Sequence, residues 1–521
     1  MKSTRTALLV AGCMLLWAFA AMAQVSQVRV IHEVKHDVSL PLREMAKITP
    51  IEHNKTPRII PLLRGPAGAP LVSNVPDPVA QQSYLPNLPI TNLLNFDGQN
   101  ADNLAPPDTE GSVGTTQYVQ WVNVEYNVYD KTTGSKILGP IAGNAFWAGF
   151  GGTCQSSNSG DPIVIFDKAA QRWFVAQNVF SAPYMACIAV STTSDITGTF
   201  NRYAFKYNST DFPDYPKWGV WADAYYQSFN DFLNGVSLIG SWACAADRTA
   251  MLAGGAATLQ CFTVHNQTGM LPSDLDGATA PPAGSPNYYV NLGNTTNTVN
   301  FFQFHVDFVN PTNSTFTGPT ALTVPSFSEI CSNGTNRSCV PQPTGGEMLD
   351  SLGDRMMYRA AYRNFGDHEA IVAAHTVKPG TGSTAVAATR WYEFRSPAAP
   401  TLFQSGTYQN TKISLWMPSI AMDKVGDIAL GMSASSSTVD PTVVYAVRTP
   451  AQALGKLSGP QIVVKGTGVQ QSTFNRWGDY SDMSIDPTDD CTFWYTQEYI
   501  KTTGSFTWST RVNSFKINSC Q

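Results

Sequence analysis

A short segment that recurs along the chain constrains the fold more than any other feature. In each copy a polar or aromatic cluster precedes a strand-like run, and four of the five copies end in Asp while the third ends in Arg. The copies span 160–167, 215–223, 353–359, 416–423 and 477–486. A divergent repeat of roughly 50 to 65 residues is typical of radial or linear arrays. The recurrence therefore predicts a β-propeller.

Two weaker segments complete the predicted array. Residues 106–111 lead into a strand at 118–123, and residues 299–308 alternate between apolar and polar side chains as a strand does. The predicted starts are Asp108, Asp161, Lys217, Asn300, Asp354, Trp416 and Asp479. Because propellers usually have roughly four to eight blades, these starts predict an all-β fold, a seven-bladed β-propeller of four-stranded antiparallel blades over 106–521.

The N-terminus is predicted to direct export. An apolar run at 7–20 follows a positively charged start and precedes a small-residue exit at 21–23, the pattern of a signal peptide over 1–23. The alternative is a lipid anchor on Cys13. No other stretch approaches the roughly 18 apolar residues of a membrane span. We therefore expect an extracellular protein without a transmembrane span, with the periplasm and the cell surface as alternative locations.

Proline recurs throughout 24–105, which disfavours long helices and central strands there. We expect an extended Pro-rich N-terminal arm with one strand near 27–31. Circular closure removes the exposed edges of an open sheet. The last strands, near 493–499 and 507–515, are therefore expected to share a blade with a strand from the N-terminal part of the chain.

The cysteines indicate an oxidising compartment. Eight remain after the predicted signal, and they contain no C-x-x-C spacing of the kind that zinc sites use. Eight cysteines allow 105 pairings, of which pairing between chain neighbours is the simplest. The predicted disulfides are Cys154 with Cys187, Cys244 with Cys261, Cys331 with Cys339, and Cys491 with Cys520. The last of these would lock the closing blade.

Charge and composition exclude one class of partner. The formal net charge is −5, and no run of five or more Lys and Arg occurs. The chain therefore lacks the basic footprint of a nucleic-acid-binding protein. Charged residues make up 14% of the chain. A weakly charged chain rich in turn residues fits a loop-rich extracellular β protein, which we expect to be a monomer.

The repeated segments also predict a site. Residues just before the innermost strand of each blade gather around the central axis, where carboxylates, cations and indoles suit a sugar ligand. The candidate catalytic residues are Asp161, Asp354, Asp479, Lys217 and Arg355. The candidate stacking platforms are Trp218, Trp416 and Trp477, and the further binding residues are Asp108, Glu110 and Arg476.

The same residues also have possible structural roles. An Asp before a strand often accepts backbone N–H groups in a turn. Arg355, Arg359 and Arg363 would share one face of a strand and could pair with acids of the next blade. The functional alternative is that Arg355 clamps the carboxylate of an acidic sugar. No transition-metal motif occurs, so no cofactor is expected, while oxygen ligands from Asp161, Asp354 and Asp479 leave a structural Ca²⁺ open.

Several motifs together resemble a group of secreted bacterial β-propeller proteins of unassigned activity. They are Pro-Pro-Asp-Thr-x-Gly at 106–111, Gly-Asp-Pro at 160–162 with Arg172-Trp173, Tyr-Pro-Lys-x-Gly-Val-Trp at 215–221, Tyr-Arg-Asn-Phe-Gly-Asp-His-Glu at 362–369 and Arg-Trp-Gly-Asp-Tyr-Ser at 476–481. The resemblance covers 106–521. The chain resembles sialidases and glycosidases in architecture only, because the Ser-x-Asp-x-Gly-x-Thr-Trp box of sialidases is absent from it.

The sequence thus supports two functions. The first is a secreted propeller that binds an extracellular glycan at its axial mouth and hydrolyses or lyses it there. The second is a non-enzymatic interaction or adhesion module at the cell surface. Release of reducing sugar would separate the two.

Overall fold

The computed structural model of the protein describes residues 25–48, 58–59, 71–101, 103–331, 337–381, 386–471 and 475–521. The predicted signal peptide, Cys13 and part of the Pro-rich arm lie outside these residues. Within them, strands dominate and helices are short, which confirms the all-β class. The helices are Leu42–Ile48, Gly152–Ser156 and Arg248–Ala253, with 3-10 turns at Gly143–Trp147 and Pro311–Asn313.

Consecutive strands pair into four-stranded antiparallel units, numbered here along the chain. Unit 1 contains Thr109–Val113, Gln117–Val122, Glu125–Asp130 and Lys136–Ala142. Unit 2 contains Ile163–Asp167, Arg172–Val179, Tyr184–Ser191 and Phe200–Asn208. Unit 3 contains Asp211–Val220, Ala224–Leu233, Ser237–Asp247 and Thr258–His265.

The remaining units follow the same pattern. Unit 4 contains Leu271–Asp276, Asn287–Leu292, Thr298–His305 and Thr315–Thr323. Unit 5 contains Met357–Asn364, Glu369–Val377, Ala388–Arg395 and Thr401–Tyr408. Unit 6 contains Ser414–Met422, Ile428–Ser436, Val439–Arg448 and Gln461–Val464. Unit 7 contains Asp482–Ile485, Thr492–Ile500, Trp508–Ile517 and, from the N-terminal part, Ile90–Asn100. Two short pairs, Arg58–Ile59 with Leu104–Ala105 and Ser338–Val340 with Leu349–Asp350, lie outside the units.

The first strands of the units form a ring. Each first strand contacts that of the next unit, and Asp482–Ile485 of unit 7 contacts Thr109–Val113 of unit 1. First strands such as Ile163–Asp167 are buried along their whole length because other units cover both faces. Outermost strands such as Thr315–Thr323 are largely exposed. The units therefore surround a central axis that the first strands line.

A strand from the N-terminal part closes the ring, as predicted. Ile90–Asn100 pairs antiparallel with Trp508–Ile517, so that Ile90 lies opposite Ile517. The disulfide between Cys491 and Cys520 lies in the same unit. The two ends of the ring are thus joined by a sheet rather than by side-chain packing alone.

A second N-terminal strand joins two units at their outer edges. Arg29–Val38 pairs with Phe200–Asn208 of unit 2 through its second half and with Thr258–His265 of unit 3 through its first half. The result is one sheet of nine strands. The sequence predicted a strand in this region, near 27–31, but not that it would bridge two neighbouring units.

The predicted start of unit 4 is wrong. The segment at 299–308 corresponds to Thr298–His305, which is the third strand of the unit and not the first. The first strand is Leu271–Asp276, which also pairs in parallel with Met357–Asn364 of unit 5. Its sequence, Leu-Pro-Ser-Asp-Leu-Asp, ends in Asp like four of the five copies but lacks their apolar run. Because the segment contains a proline and two acidic residues, its sequence does not indicate a buried strand.

All four predicted disulfides are confirmed. The pairs are Cys154 with Cys187, Cys244 with Cys261, Cys331 with Cys339, and Cys491 with Cys520. Such a set is consistent with an extracellular protein. None of the helices in the described part of the chain is long and apolar enough to cross a membrane.

Candidate functional site

The start of each first strand carries a backbone conformation that repeats around the ring. In six units a non-glycine residue with positive φ lies in or just before the first strand. These residues are Asp108 (φ 50°), Asp161 (47°), Tyr215 (57°), Leu352 (44°), Met417 (55°) and Asp479 (63°). Left-handed backbone is costly for residues other than Gly and concentrates at functional sites. The recurrent sequence segment therefore marks a recurrent kink at one end of the axis.

Four carboxylates and two guanidinium groups lie close together at this end. We call the group the axial acid cluster, and its members are Asp108, Asp161, Asp214, Asp479, Arg355 and Arg476. Asp108 is 1% exposed and Asp214 is 9% exposed, with the others between these values. The structure thus brings three predicted catalytic residues, Asp161, Asp479 and Arg355, to one place.

Burial and mutual repulsion raise the pKa values of three of these acids, Asp108, Asp214 and Asp479. Desolvation, followed by the charges of Asp161 and Asp479, raises the pKa of Asp108 well above its usual range, and a hydrogen bond with Asp161 contributes to the rise. Desolvation and the charge of Asp161 raise the pKa of Asp214 to about 7. Like charges in one buried site cannot all ionise. The cluster therefore holds protons near neutral pH.

The arginines are engaged by acids next to them. Arg355 Nε donates to Asp354 Oδ1 at 3.0 Å, and Arg337 lies 2.9 Å from the same carboxylate. Although burial opposes it, the charges of Arg337 and Arg355 lower the pKa of Asp354 well below its usual range. Arg476 Nη2 donates to Asp479 Oδ2 at 2.5 Å. The predicted catalytic residue Asp354 is therefore the ion-pair partner of Arg355, beside the cluster rather than within it.

Several polar atoms of the cluster are buried without a hydrogen-bond partner among the described residues. They are Oδ2 of Asp214, Oδ1 of Asp479, Nη1 of Arg355, and Nε and Nη1 of Arg476. Nη1 of Arg476 comes no closer than 4.0 Å to Asp350. Buried polar groups in proteins are normally paired. Acceptors and donors that converge without partners indicate a place for a polar ligand or for ordered water.

Lys217 lies on the axis among aromatic rings. Its Nζ is 3.6 Å from the ring centre of Tyr480 and 3.9 Å from that of Tyr215, and it donates to the carbonyl of Pro216 at 3.0 Å. Desolvation lowers its pKa to about 8, although nearby carboxylates oppose the change. Lys217 is 0% exposed. Its side chain therefore acts on the cluster through its charge rather than by contact with an outside ligand.

Glu110 continues the line of buried charge from Lys217 along the axis. Glu110 Oε1 accepts from the backbone N–H of Val164 at 3.4 Å, which ties unit 1 to unit 2. Desolvation and the charge of Asp482 raise its pKa well above the usual range. Glu110 was predicted to bind substrate, but it is fully buried between first strands.

A second charged group occupies the opposite end of the axis. Arg359 donates to Asp274 at 2.7 Å and to Asp276 at 2.9 Å, and Lys168 also contacts Asp276. Desolvation raises the pKa of Asp482 there to about 8. The cavity among these residues measures about 10 Å³, which is room for about one water. Arg359 of unit 5 therefore has a structural role, because it forms ion pairs with acids of unit 4. Arg363 of the same strand likewise forms an ion pair with Asp490 at 2.7 Å.

The three predicted stacking indoles pack in the core instead. Trp416 and Trp477 contact each other with ring centres 5.5 Å apart, and Trp218 packs against Phe174. Each is at most 1% exposed. They cannot stack on a sugar in this conformation, because large apolar rings beside a kinked strand gain more from filling the space between units. This corrects the expectation from the sequence.

Sequence reasoning missed several members of the site. Asp214, Tyr215 and Tyr480 lie directly beside residues that the recurrent segments singled out. The signal was present, because Tyr215 is itself a kinked residue, Asp214 directly precedes it and Tyr480 directly follows the kinked Asp479. Within the described residues, no group of three or more His, Cys, Asp and Glu side chains is placed to hold a metal ion.

Fold and site together define an all-β ring with a buried charged cluster at one end of its axis. No family model matches the chain, and no curated protein is significantly similar to it.

Solved structures give faint likenesses to this ring. A protein of the DUF4623 family from Bacteroides eggerthii is 8% identical with a TM-score of 0.31, covering 83% of this chain and 77% of its own. The N-terminal domain of Nup159 is 7% identical with a TM-score of 0.37, covering 84% and 98%. An endo-arabinase from Bacteroides thetaiotaomicron is 10% identical with a TM-score of 0.30, covering 68% and 92%. At these TM-scores the likeness assigns the chain no substrate and no activity.

Proposed function

We propose that the protein is an extracellular seven-bladed β-propeller that binds a carbohydrate at the axial acid cluster. Units 1 to 7 are its blades, since their first strands contact one another around a closed ring. An experimental map viewed down the axis would contain seven sheets. Any other number of sheets would contradict this part of the proposal.

The observation that carries the ligand proposal is the set of buried polar atoms without partners. Asp214 and Asp479 each offer a free acceptor oxygen, while Arg355 and Arg476 offer free donors. A sugar hydroxyl both donates and accepts a hydrogen bond. A polyhydroxylated ligand can therefore satisfy both kinds of atom at once. Removing the cost of leaving such groups unpaired would supply part of the binding free energy.

The charge balance favours a neutral or basic sugar over an acidic one. Both guanidinium groups of the cluster are already paired with carboxylates, Arg355 with Asp354 and Arg476 with Asp479. An incoming carboxylate would meet more acids than free cations. An ion pair with Asp354 is therefore favoured as the role of Arg355 over binding of the carboxylate of an acidic sugar, which the sequence suggested.

Hydrolysis is the second candidate function, and Asp214 is the observation that favours it. Its pKa of about 7 lets the carboxyl group keep its proton near neutral pH, as a general acid requires. Asp161 lies in the same cluster and could serve as the second carboxylate.

A glycan array on the secreted protein, followed by calorimetry and a reducing-sugar assay, tests both candidates. We expect Asp479→Asn to weaken glycan binding at least about tenfold, because it changes one of the unpartnered acceptor oxygens and one lost hydrogen bond to a charged group costs about 1.5 to 3 kcal/mol. Asp214→Asn should retain binding and lower any hydrolysis by about a hundredfold or more. The matched control is Asp231→Asn, an equally buried acid of unit 3 whose pKa is also raised by desolvation to about 7 but which pairs with Trp242 outside the cluster.

The outcomes separate the alternatives. Binding without turnover on every glycan would leave a binding module and remove the hydrolase candidate. Loss of binding in Asp231→Asn equal to that in Asp479→Asn would place the ligand elsewhere. Absence of binding to any neutral or basic glycan would overturn the proposal.

A further inference from the structure

A cavity of about 330 Å³ lies at the outer side of unit 2. None of its lining residues belongs to the axial acid cluster. The N-terminal strand Arg29–Val38 forms one wall, and the connection from unit 1 to unit 2 forms another. The residues that matter for the argument are Val34, Lys35, Phe150, Gly152, Met185 and Ala204. Small-molecule sites typically measure about 300 to 1,000 Å³.

The floor of this cavity is apolar. Phe150, Met185 and Ala204 are each less than 9% exposed and belong to one hydrophobic cluster with the disulfide of Cys154. Gly152 opens the remaining side, because a Cβ placed there would meet nothing within 4 Å. The cavity therefore offers apolar surface to a ligand without any side chain that must first move away.

Its rim is positively charged. Lys35 Nζ lies 4.8 Å from the ring centre of Phe150 and donates to the Phe150 carbonyl. Arg202 lies 5.1 Å from the same ring, but Asp37 neutralises it through two hydrogen bonds of 2.8 Å. No carboxylate of the described residues forms an ion pair with Lys35. One uncompensated ammonium group thus stands over an apolar floor.

We propose that this cavity binds a small amphipathic carboxylate. Its hydrocarbon part lies on Phe150, Met185 and Ala204, where burial of apolar surface favours it. Its carboxylate accepts a charge-assisted hydrogen bond from Lys35, whose three donors are not all used by the Phe150 carbonyl. The apolar floor and the ammonium group together define this ligand class. A neutral lipid would leave the ammonium group without a partner, and an amine would be repelled by it.

Binding here would also fix the N-terminal strand. Val34 and Lys35 stand on the strand that joins units 2 and 3, and Lys35 lies opposite Ala204 in the sheet. A ligand that contacts both sides of this pairing stabilises it. The amides of the strand should then exchange with solvent more slowly when the ligand is bound.

Calorimetry with octanoate, octan-1-ol and octylamine tests the proposal on the full secreted protein. A carbon-13 label on the methionine methyl groups lets Met185 report where each probe binds. We expect octanoate to bind and to shift the Met185 resonance, with octan-1-ol weaker and octylamine weaker still. Lys35→Met should weaken octanoate about 10- to 100-fold and leave octan-1-ol unchanged.

Two further variants separate the cavity from the rest of the surface. Val34→Trp places a large ring at the rim from a position that is 62% exposed, so it should block all three probes without unfolding the protein. Lys412→Met, an exposed lysine in the turn before Ser414–Met422 and far from unit 2, should change nothing. Equal affinity for octanoate and octylamine, an unshifted Met185 resonance, or no effect of Lys35→Met would each overturn the proposal.

Discussion

Lys217 shows at the scale of a residue how this protein fills its axis. Its ammonium group has two tyrosine rings within 4 Å and, within the described residues, no carboxylate close enough for an ion pair. Cation–π contact and the field of nearby acids therefore replace direct pairing. The charge of Lys217 in turn stabilises the ionised form of Glu110, because it opposes the rise in the pKa of that carboxyl group.

Replacing this lysine should therefore destabilise the fold. We expect Lys217→Met to lower the free energy of unfolding by roughly 3 to 5 kcal/mol, the cost of leaving buried charges uncompensated. The double variant with Glu110→Gln should recover part of the loss, because the two groups interact. Urea unfolding measures both. The control is Lys206→Met, expected to stay within about 0.5 kcal/mol, and strict additivity of the two buried changes would contradict the account.

At the scale of the element, the sequence predicted the units where an apolar first strand follows a kink. Ile163–Asp167 and Ser414–Met422 are of this kind. It failed for Leu271–Asp276, whose Pro and Asp suit a parallel contact with unit 5 and an ion pair with Arg359 that local periodicity cannot reveal.

The site was predictable only in part, for a similar reason. The αL kink that gathers Asp108, Asp161 and Asp479 repeats in the sequence, so their approach could be inferred. Whether an indole such as Trp416 faces the axis or the space between units depends on packing from a distant part of the chain. Periodicity within one strand does not contain that information.

The disulfides allow a graded prediction for the elements that they join. Stabilisation by a cross-link grows with the length of the closed loop. The separations are 33 residues for Cys154 with Cys187, 29 for Cys491 with Cys520, 17 for Cys244 with Cys261 and 8 for Cys331 with Cys339. Paired Cys→Ser variants should lose stability in that order, from roughly 4 to roughly 2.5 kcal/mol. Thermal unfolding measures the loss. The prediction would be contradicted if removal of the Cys331–Cys339 disulfide, which closes the shortest loop, lowered the stability most.

For the whole molecule, buried acids make stability depend on pH. Desolvation raises the pKa of Asp214 to about 7 and that of Asp482 to about 8, so the folded state holds protons that the unfolded chain releases above about pH 4. This stability is complete below the ordinary carboxyl pKa and is lost as pH rises through the folded values. Lys217, with its pKa lowered to about 8, adds stability only above that pH.

We therefore expect the unfolding temperature to fall from pH 4.5 towards a minimum near about pH 8. Calorimetry across this range measures it. Asp482→Asn should flatten the decline, because an amide has no proton to lose, whereas Asp130→Asn at an exposed turn should not. A stability that rises steadily over the same range would show that the buried acids are ionised.

Ring closure also belongs to the whole molecule. A chain ending at Ile500 lacks Trp508–Ile517, which pairs with Thr492–Ile500 on one side and Ile90–Asn100 on the other. We expect this truncated protein to lose its single cooperative thermal transition and to be cleaved rapidly by protease. The variant Cys491→Ser/Cys520→Ser keeps the strand and should remain cooperative. Cooperative unfolding of the truncated chain would mean that the ring does not need its closing sheet.

The pairing of Ile90–Asn100 with Trp508–Ile517 has a consequence for biogenesis. A polypeptide that leaves the ribosome or a translocation channel amino end first presents the earlier strand long before the later one follows. During that interval the waiting edge is free to join a strand of another newly made copy. Yield of this protein should thus depend on how fast the carboxyl end arrives, or on a holdase that shields the early strand until it does.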